Sequence, residues 1–174
     1  MMSPLTCMLP ESSRRSTGAP TPAQAQEPHR DEYLPGGVGG WDDGVAPFST
    51  ADELDILLDR IAASRDTDGN GYKVGVLSNA AHDGPLPVGV EITLGHPERS
   101  SVLYLGPDGD GIAVDPTLAT WEGGPVWFNI YGVPSDCEAD RLRVTPAQAR
   151  EVVREFVRTG HRPTLHLPKT RPPC

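Results

Sequence analysis

Nineteen glycines and nineteen prolines punctuate this chain of 174 residues, and they constrain its fold more than any other feature. The two residues usually make up roughly 12% of a protein, and here their share is nearly double that. Proline removes a backbone donor and breaks helices, and glycine lets the chain reverse. The excess predicts a turn-rich β protein with a disordered part. The apolar fraction, 37%, fits one domain with tail to spare rather than several cores.

Residues 1–47 read as a disordered N-terminal tail, rich in Pro, Ser, Gly, Gln and charge, with no apolar period. Tyr33, Leu34, Val38 and Trp41 break that pattern, as a weak docking segment or, in better keeping with the composition, as stray apolar residues or the remnant of an edge strand. A single domain is expected over residues 48–168, and residues 169–174 form a C-terminal tail.

Two helices stand out. Thr50 and Glu53 make a capping box, with Phe48 and Leu54 near the positions of a hydrophobic staple. Leu54, Leu57, Leu58 and Ile61 then form one apolar stripe, and Asp52, Glu53 and Asp55 sit where the helix dipole favours negative charge. This helix should run to about Ala63. The second opens on Thr145, with Pro146 at the first helical position and Gln148 completing the box. Ala149, Val152, Val153, Phe156 and Val157 are its core stripe; Arg150, Arg154 and Arg158 lie opposite, and Glu151 and Glu155 are spaced to pair with Arg154 and Arg158. Gly160 closes it.

Between and after the helices, alternation predicts strands at residues 72–78, 88–94, 102–105, 112–114, 126–133 and 163–167. The fold class is therefore α+β: a mostly antiparallel sheet of about six strands with two helices packed on one face and the other face open. In the 126–133 segment, Trp127 is opposite in phase to Phe128 and Ile130. If the helices cover Phe128, then Trp127 and Tyr131 are on the open face.

Several function classes are excluded or disfavoured. A net charge of −9 argues against non-specific binding to nucleic acid or to an anionic membrane. No apolar run approaches the roughly 20 residues that span a bilayer, and the N-terminus lacks the apolar core of a secretory signal. The three cysteines show neither metal-ligand spacing nor a disulfide framework, so a reducing cytoplasm is the expected compartment. The five histidines are scattered, with no zinc-deaminase, zincin, nucleophile-elbow or Walker A pattern. Asp136 and Glu138, in a Pro/Ser turn, are poor candidates for acid–base work, and Cys137 between them is a poor nucleophile because flanking acids raise a thiol's pKa. No cofactor is expected. Asp66-Thr67-Asp68-Gly69-Asn70-Gly71 matches the first half of a calcium loop, but its twelfth position is Leu77 where a bidentate Glu is needed. A tight helix-to-strand turn explains the same residues. A calcium-responsive binding module built on this loop is the alternative reading.

Charge is sharply segregated. From Asp108 to Asp140 there are seven carboxylates and no Lys, Arg or His, together with Trp121, Trp127, Phe128 and Tyr131; from Arg141 to Cys174 there are eight Lys/Arg and two acids. Such segregation sets the field outside a domain and so the partners that approach it. Asp115, Trp121, Glu122, Trp127, Tyr131, Asp136, Glu138 and Asp140 are the candidate partner-binding residues, on a surface suited to a basic protein.

Two stretches together carry a family resemblance: residues 49–60, STADELDILLDR, and residues 144–164, VTPAQAREVVREFVRTGHRPT. With the glycine-interrupted strands between them, the chain resembles the Imm1 family of immunity proteins over about residues 48–167. The resemblance implies a small cytoplasmic α+β protein that neutralises the C-terminal domain of a cognate toxin in a bacterial polymorphic toxin system, often a nucleic-acid deaminase, by direct binding. It implies no catalytic residues. Two departures stand: the family usually has a strand before the first helix, which residues 1–47 do not obviously supply, and its last strand often closes on a Trp, which Leu165-His166-Leu167 lacks.

Overall fold

The computed structural model describes residues 35–41, 44–78, 88–107 and 109–164. Both capping boxes form as the spacing predicts. In α1 (Ala51–Ala63), Thr50 Oγ1 accepts from the Glu53 N–H at 3.2 Å while Glu53 Oε2 accepts from the Thr50 N–H at 3.2 Å. In α2 (Pro146–Thr159), Thr145 Oγ1 accepts from the Gln148 N–H at 3.3 Å and Gln148 Oε1 accepts from the Thr145 N–H at 2.8 Å. Gly160 ends α2 in the left-handed region, φ 68°, where a side chain would be strained.

The strands are β1 (Gly36–Trp41), β2 (Gly44–Phe48), β3 (Gly71–Ser78), β4 (Gly89–Leu94), β5 (Val102–Leu105), β6 (Gly111–Ile112), β7 (Val126–Ile130) and β8 (Val133–Cys137). They form one sheet in the order β2-β1-β3-β4-β5-β6, with the β7–β8 hairpin joined to β3 through a short parallel pairing, Gly71 to Phe128 and Tyr72 to Asn129. Every other pairing of these strands is antiparallel. The fold is α+β, with eight strands among the described residues where the sequence predicts about six.

Both helices pack on the same face, α1 on β2, β3 and β4 and α2 on β3 and β4. Their stripes meet the inward residues of the sheet (Val74, Val76, Val90, Ile92, Val102) in one core. Arg150 and Arg154 are more than a solvated stripe. They reach across to α1, Arg150 to Asp59 at 2.7 Å and Arg154 to Asp55 at 2.7 Å. Glu151 does pair with Arg154, but Glu155 instead accepts from the backbone and hydroxyl of Thr164, at 3.0 and 2.7 Å.

The first correction concerns residues 36–41 and 44–47, placed by the sequence in a disordered tail. They form the β1–β2 hairpin, which extends the sheet beyond β3 and supplies strands ahead of α1. The strand GGVGGW is four glycines in six residues, and so shows no alternation in the sequence. What it has instead is room. A Cβ on Gly36 would stand 2.3 Å from the Leu77 carbonyl oxygen and 2.5 Å from the Phe48 ring, so the ring lies against bare backbone. Val38 and Phe48 are both buried in the main core. Val38→Ala is therefore expected to lower stability by about 2 kcal/mol, from the lost methyls and the cavity left behind. Denaturant unfolding checks this, since a residue in a disordered tail would show no change.

The second correction concerns residues 126–133, read as one strand. Tyr131 and Gly132 both have positive φ, 51° and 84°, and make a two-residue hairpin turn of the primed kind. Asn129 Oδ1 accepts from the Gly132 N–H at 2.7 Å and steadies the reversal. The segment read as a Pro/Ser turn is thus largely β8. Phe128 is buried, but against Cys137 and Leu142 in a second cluster, not under the helices. The 112–114 segment is strand only at Gly111–Ile112, and Pro163 and Thr164 are in no strand; residues 165–167 lie outside the described residues, as do 1–34 and the tail 169–174.

Candidate partner-binding surface

The β7–β8 hairpin has two faces because its residues alternate. Val126, Phe128 and Ile130 pair with Cys137, Ser135 and Val133 on the inner face, and Trp127 and Asn129 pair with Asp136 and Pro134 on the outer one. The outer face leaves Trp127 50% exposed and the turn leaves Tyr131 70% exposed. Val133 is exposed at the end of the same hairpin. Asp136 is exposed on β8, and Glu138 and Asp140 are exposed in the turn that follows, which the Arg141 N–H closes onto the Glu138 carbonyl at 3.0 Å. Five candidate residues, Trp127, Tyr131, Asp136, Glu138 and Asp140, therefore stand on one hairpin and its exit turn. Asp108, the first carboxylate of the acidic run, lies outside the described residues.

Trp121 is committed to the fold. Its Nε1 donates to the Gly124 carbonyl at 2.7 Å, its ring meets His96 edge-on with centroids 5.2 Å apart, and the Arg99 guanidinium lies 5.7 Å over the ring. His96 Nδ1 accepts from the Arg99 N–H at 3.0 Å, and burial together with the Arg99 charge holds the imidazole below its ordinary pKa. Yet Trp121 and Trp127 both line one open groove of about 450 Å³, floored by Gly71 and Gly95, with Arg65 and His96 also in its lining. Glu122 is exposed between Trp121 and Gly123 but does not itself line the groove. Arg65 is already occupied: its guanidinium donates to the carbonyls of Ala62, Ser64 and Gly95 at 2.7, 2.7 and 2.8 Å.

Asp115 is placed elsewhere. Its carboxylate accepts from Gln148 Nε2 at 2.6 Å and from the Thr117 backbone and hydroxyl at 2.8 and 2.7 Å. It ties the 115–118 turn to Gln148, the helical member of the α2 capping box.

Sequence reasoning missed a pocket of about 250 Å³ on the helix-free face of the sheet, where the inner face of the hairpin closes over β3, β4 and β5. Lys73 and Glu91 pair there at 2.6 Å, beside Thr93, Phe128 and Cys137, and the candidate residue Asp136 also contributes to the lining. The signal was faint: Lys73, Glu91 and Thr93 are the out-of-phase residues of their strands, but nothing local says that a hairpin folds over them. The Cys137 thiol is buried and its pKa is raised, chiefly by that burial and not by the flanking acids. Of the nearby acids Asp140 adds only a minor push.

The Asp66 loop closes on itself. Asp66 Oδ1 accepts from the Asp68 and Asn70 N–H groups at 3.0 and 2.8 Å, and Oδ2 accepts from the side-chain amides of Asn70 and Asn129, both at 3.2 Å. With every lone-pair direction facing a donor, this carboxylate holds a turn and braces β7. Among the described residues no group of three His, Cys, Asp or Glu is placed to hold a metal.

These contacts set an acid dependence. Burial pushes the Asp66 carboxyl up, but the hydrogen bonds from Asn70, Asn129 and Asp68 outweigh it and leave the group below its usual 3.8. Asp115 is lowered by Gln148 and then by Thr117. A carboxyl with a depressed folded pKa stabilises above its unfolded value, and that contribution disappears as pH falls through the folded one. Stability should therefore hold down to about pH 4 and drop below it. The Asp66→Asn/Asp115→Asn double variant should be weaker at neutral pH and lose less on acidification. Denaturant midpoints against pH check this, and equal acid losses in both proteins would refute the assignment.

Among the described residues no helix is long and apolar enough to cross a membrane. A family model described as immunity protein Imm1 matches residues 42–170, most of the chain. No curated protein and no solved structure matches.

Proposed function

The chain belongs to the Imm1 family of immunity proteins, and from that membership we propose that it binds the C-terminal domain of one cognate bacterial toxin and blocks it by covering its active site. The partner of an immunity protein is a toxin. The finer reading is that this toxin acts on nucleic acid, as a deaminase does, and that the protein does its work in the cytoplasm, where such a toxin would act.

The observation that carries the reading is the hairpin. Trp127 and Tyr131 are the exposed aromatics among the described residues, and they share one small element with Asp136, Glu138 and Asp140. Aromatic residues dominate interface hot spots, and surrounding charge steers encounter. Enzymes that hold nucleic acid present basic clefts, so an acidic, aromatic-tipped hairpin is complementary to such a cleft. Glu122 and the Trp121 wall of the groove extend the surface. Asp115 is left out, because its acceptors are already filled. Occupying a cleft needs no chemistry from this chain, so no residue is assigned a catalytic role.

Competition tests the mechanism. The toxin encoded beside this gene, assayed on its nucleic-acid substrate, should be inhibited at a one-to-one ratio, and excess substrate should relieve the inhibition. Binding without competition would assign the contact to a site away from the cleft. A purified toxin that does not bind would remove the reading altogether.

A further inference from the structure

The outer face of the β7–β8 hairpin sets an indole and a carboxylate directly opposite each other, since Trp127 and Asp136 are register partners on adjacent antiparallel strands. Residues so paired project to the same side with Cβ atoms about 4.5–5.5 Å apart. Trp127 is half exposed and Asp136 exposed. Among the described residues neither the Asp136 carboxylate nor the Trp127 Nε1 has a hydrogen-bonding or ionic partner. A half-exposed indole beside an unpaired carboxylate is the combination that takes a planar cation: the ring quadrupole attracts the charge and the carboxylate accepts its N–H groups.

The charges around the pair favour the same occupant. Asp136, Glu138 and Asp140 are all exposed on β8 and its exit turn. Of the cations in the vicinity, Arg65 is spent on three carbonyls in the groove; Lys73 and Arg141 line the inner pocket together with Asp136, but Lys73 is paired with Glu91, which leaves Arg141, exposed beside Asp140 in the exit turn. Three exposed acids thus face one exposed base in this stretch.

We infer that Trp127 and Asp136 form a guanidinium site: an arginine of the partner protein lies flat on the outer face of the Trp127 indole and sets its N–H fork against the Asp136 carboxylate. The inference rests on the toxin-binding reading and names the side-chain chemistry that reading requires. Arginine fits better than lysine, because a planar fork stacks and bonds bidentately at once, whereas an ammonium is a compact, strongly hydrated point charge.

N-acetyl-arginine amide, titrated into the full chain and followed by two-dimensional NMR, probes the site without the toxin. The Trp127 indole N–H and the Asp136 amide should shift together and saturate, and N-acetyl-lysine amide should bind more weakly. Asp136→Asn should weaken arginine binding about tenfold, and Trp127→Ala should abolish the localised shifts. Both side chains are exposed, so the rest of the spectrum should be unchanged and serves as the folding control. Shifts that avoid the hairpin, or that survive Asp136→Asn unchanged, overturn the site. A second arm separates the two readings. If wild-type protein and Asp136→Asn bind the toxin equally well, the guanidinium site falls while the immunity reading stands; if neither binds, the immunity reading falls.

Discussion

Phe156→Ala should lower unfolding free energy by about 3–5 kcal/mol, the usual range for truncating a buried Phe. Phe156 is fully buried at the centre of the α2 stripe, with Val152, Val153 and Val157 buried beside it. Its ring also meets Tyr104 of β5 edge-on, centroids 6.3 Å apart at 71°, a contact that adds to the area buried. The vacated volume is walled by sheet on one side and helix on the other, so little of it can collapse. Arg154→Ala is the contrast. It removes a partly exposed pair to Asp55 and should cost about 1 kcal/mol, as such surface pairs do. Chemical denaturation of both variants checks the contrast. Equal losses would mean that α2 is held by its ion pairs rather than by its apolar face.

Trp127→Ala should weaken toxin binding by about 2 kcal/mol or more, chiefly through faster dissociation, because a large ring buried at an interface is an anchor. Charge reversal at Asp136 and Glu138 should instead slow association, and added salt should slow wild-type association in the same way. Stopped-flow kinetics on the one set of proteins separates the two effects. Association indifferent to salt and to both reversals would end the steering idea while leaving the anchor to be judged on dissociation. Tyr131→Ala carries a complication that Trp127→Ala does not, since Tyr131 holds a left-handed turn position and its loss can alter the hairpin as well as the contact.

The helices were legible to the residue. The caps and the terminal glycine are local, with partners within four residues, and each apolar stripe is a spacing written in the sequence even though its partners lie in the sheet. The central strands β3, β4 and β5 were legible for a related reason. One of their faces is buried under the helices, and burial on one face writes an alternation into the sequence. The β1–β2 hairpin wrote no such pattern. Glycine leaves no side chain to alternate, and the case for these strands lies in β3 and in the Phe48 ring, both distant in sequence.

The candidate surface divides in the same way. Charge segregation and the opposite phases of Trp127 and Phe128 are sequence properties; Trp127 is exposed, but Phe128 is covered by a second cluster and not by the helices, so the reason differs from the one the phase suggested. Tertiary structure decided which of the acids and aromatics remain available. It gave Asp115 to Gln148 and Thr117, and locked Trp121 against His96 and Gly124. It also placed Phe128 in a second cluster and folded the hairpin over the helix-free face of the sheet to enclose a pocket. The sequence by itself determined the two helices, the three central strands, the fold class and the sign of the surface, because each is settled by neighbours along the chain. Which acids are free, and which tryptophan is available to a partner, depends on contacts between segments tens of residues apart, and only the folded chain decides it.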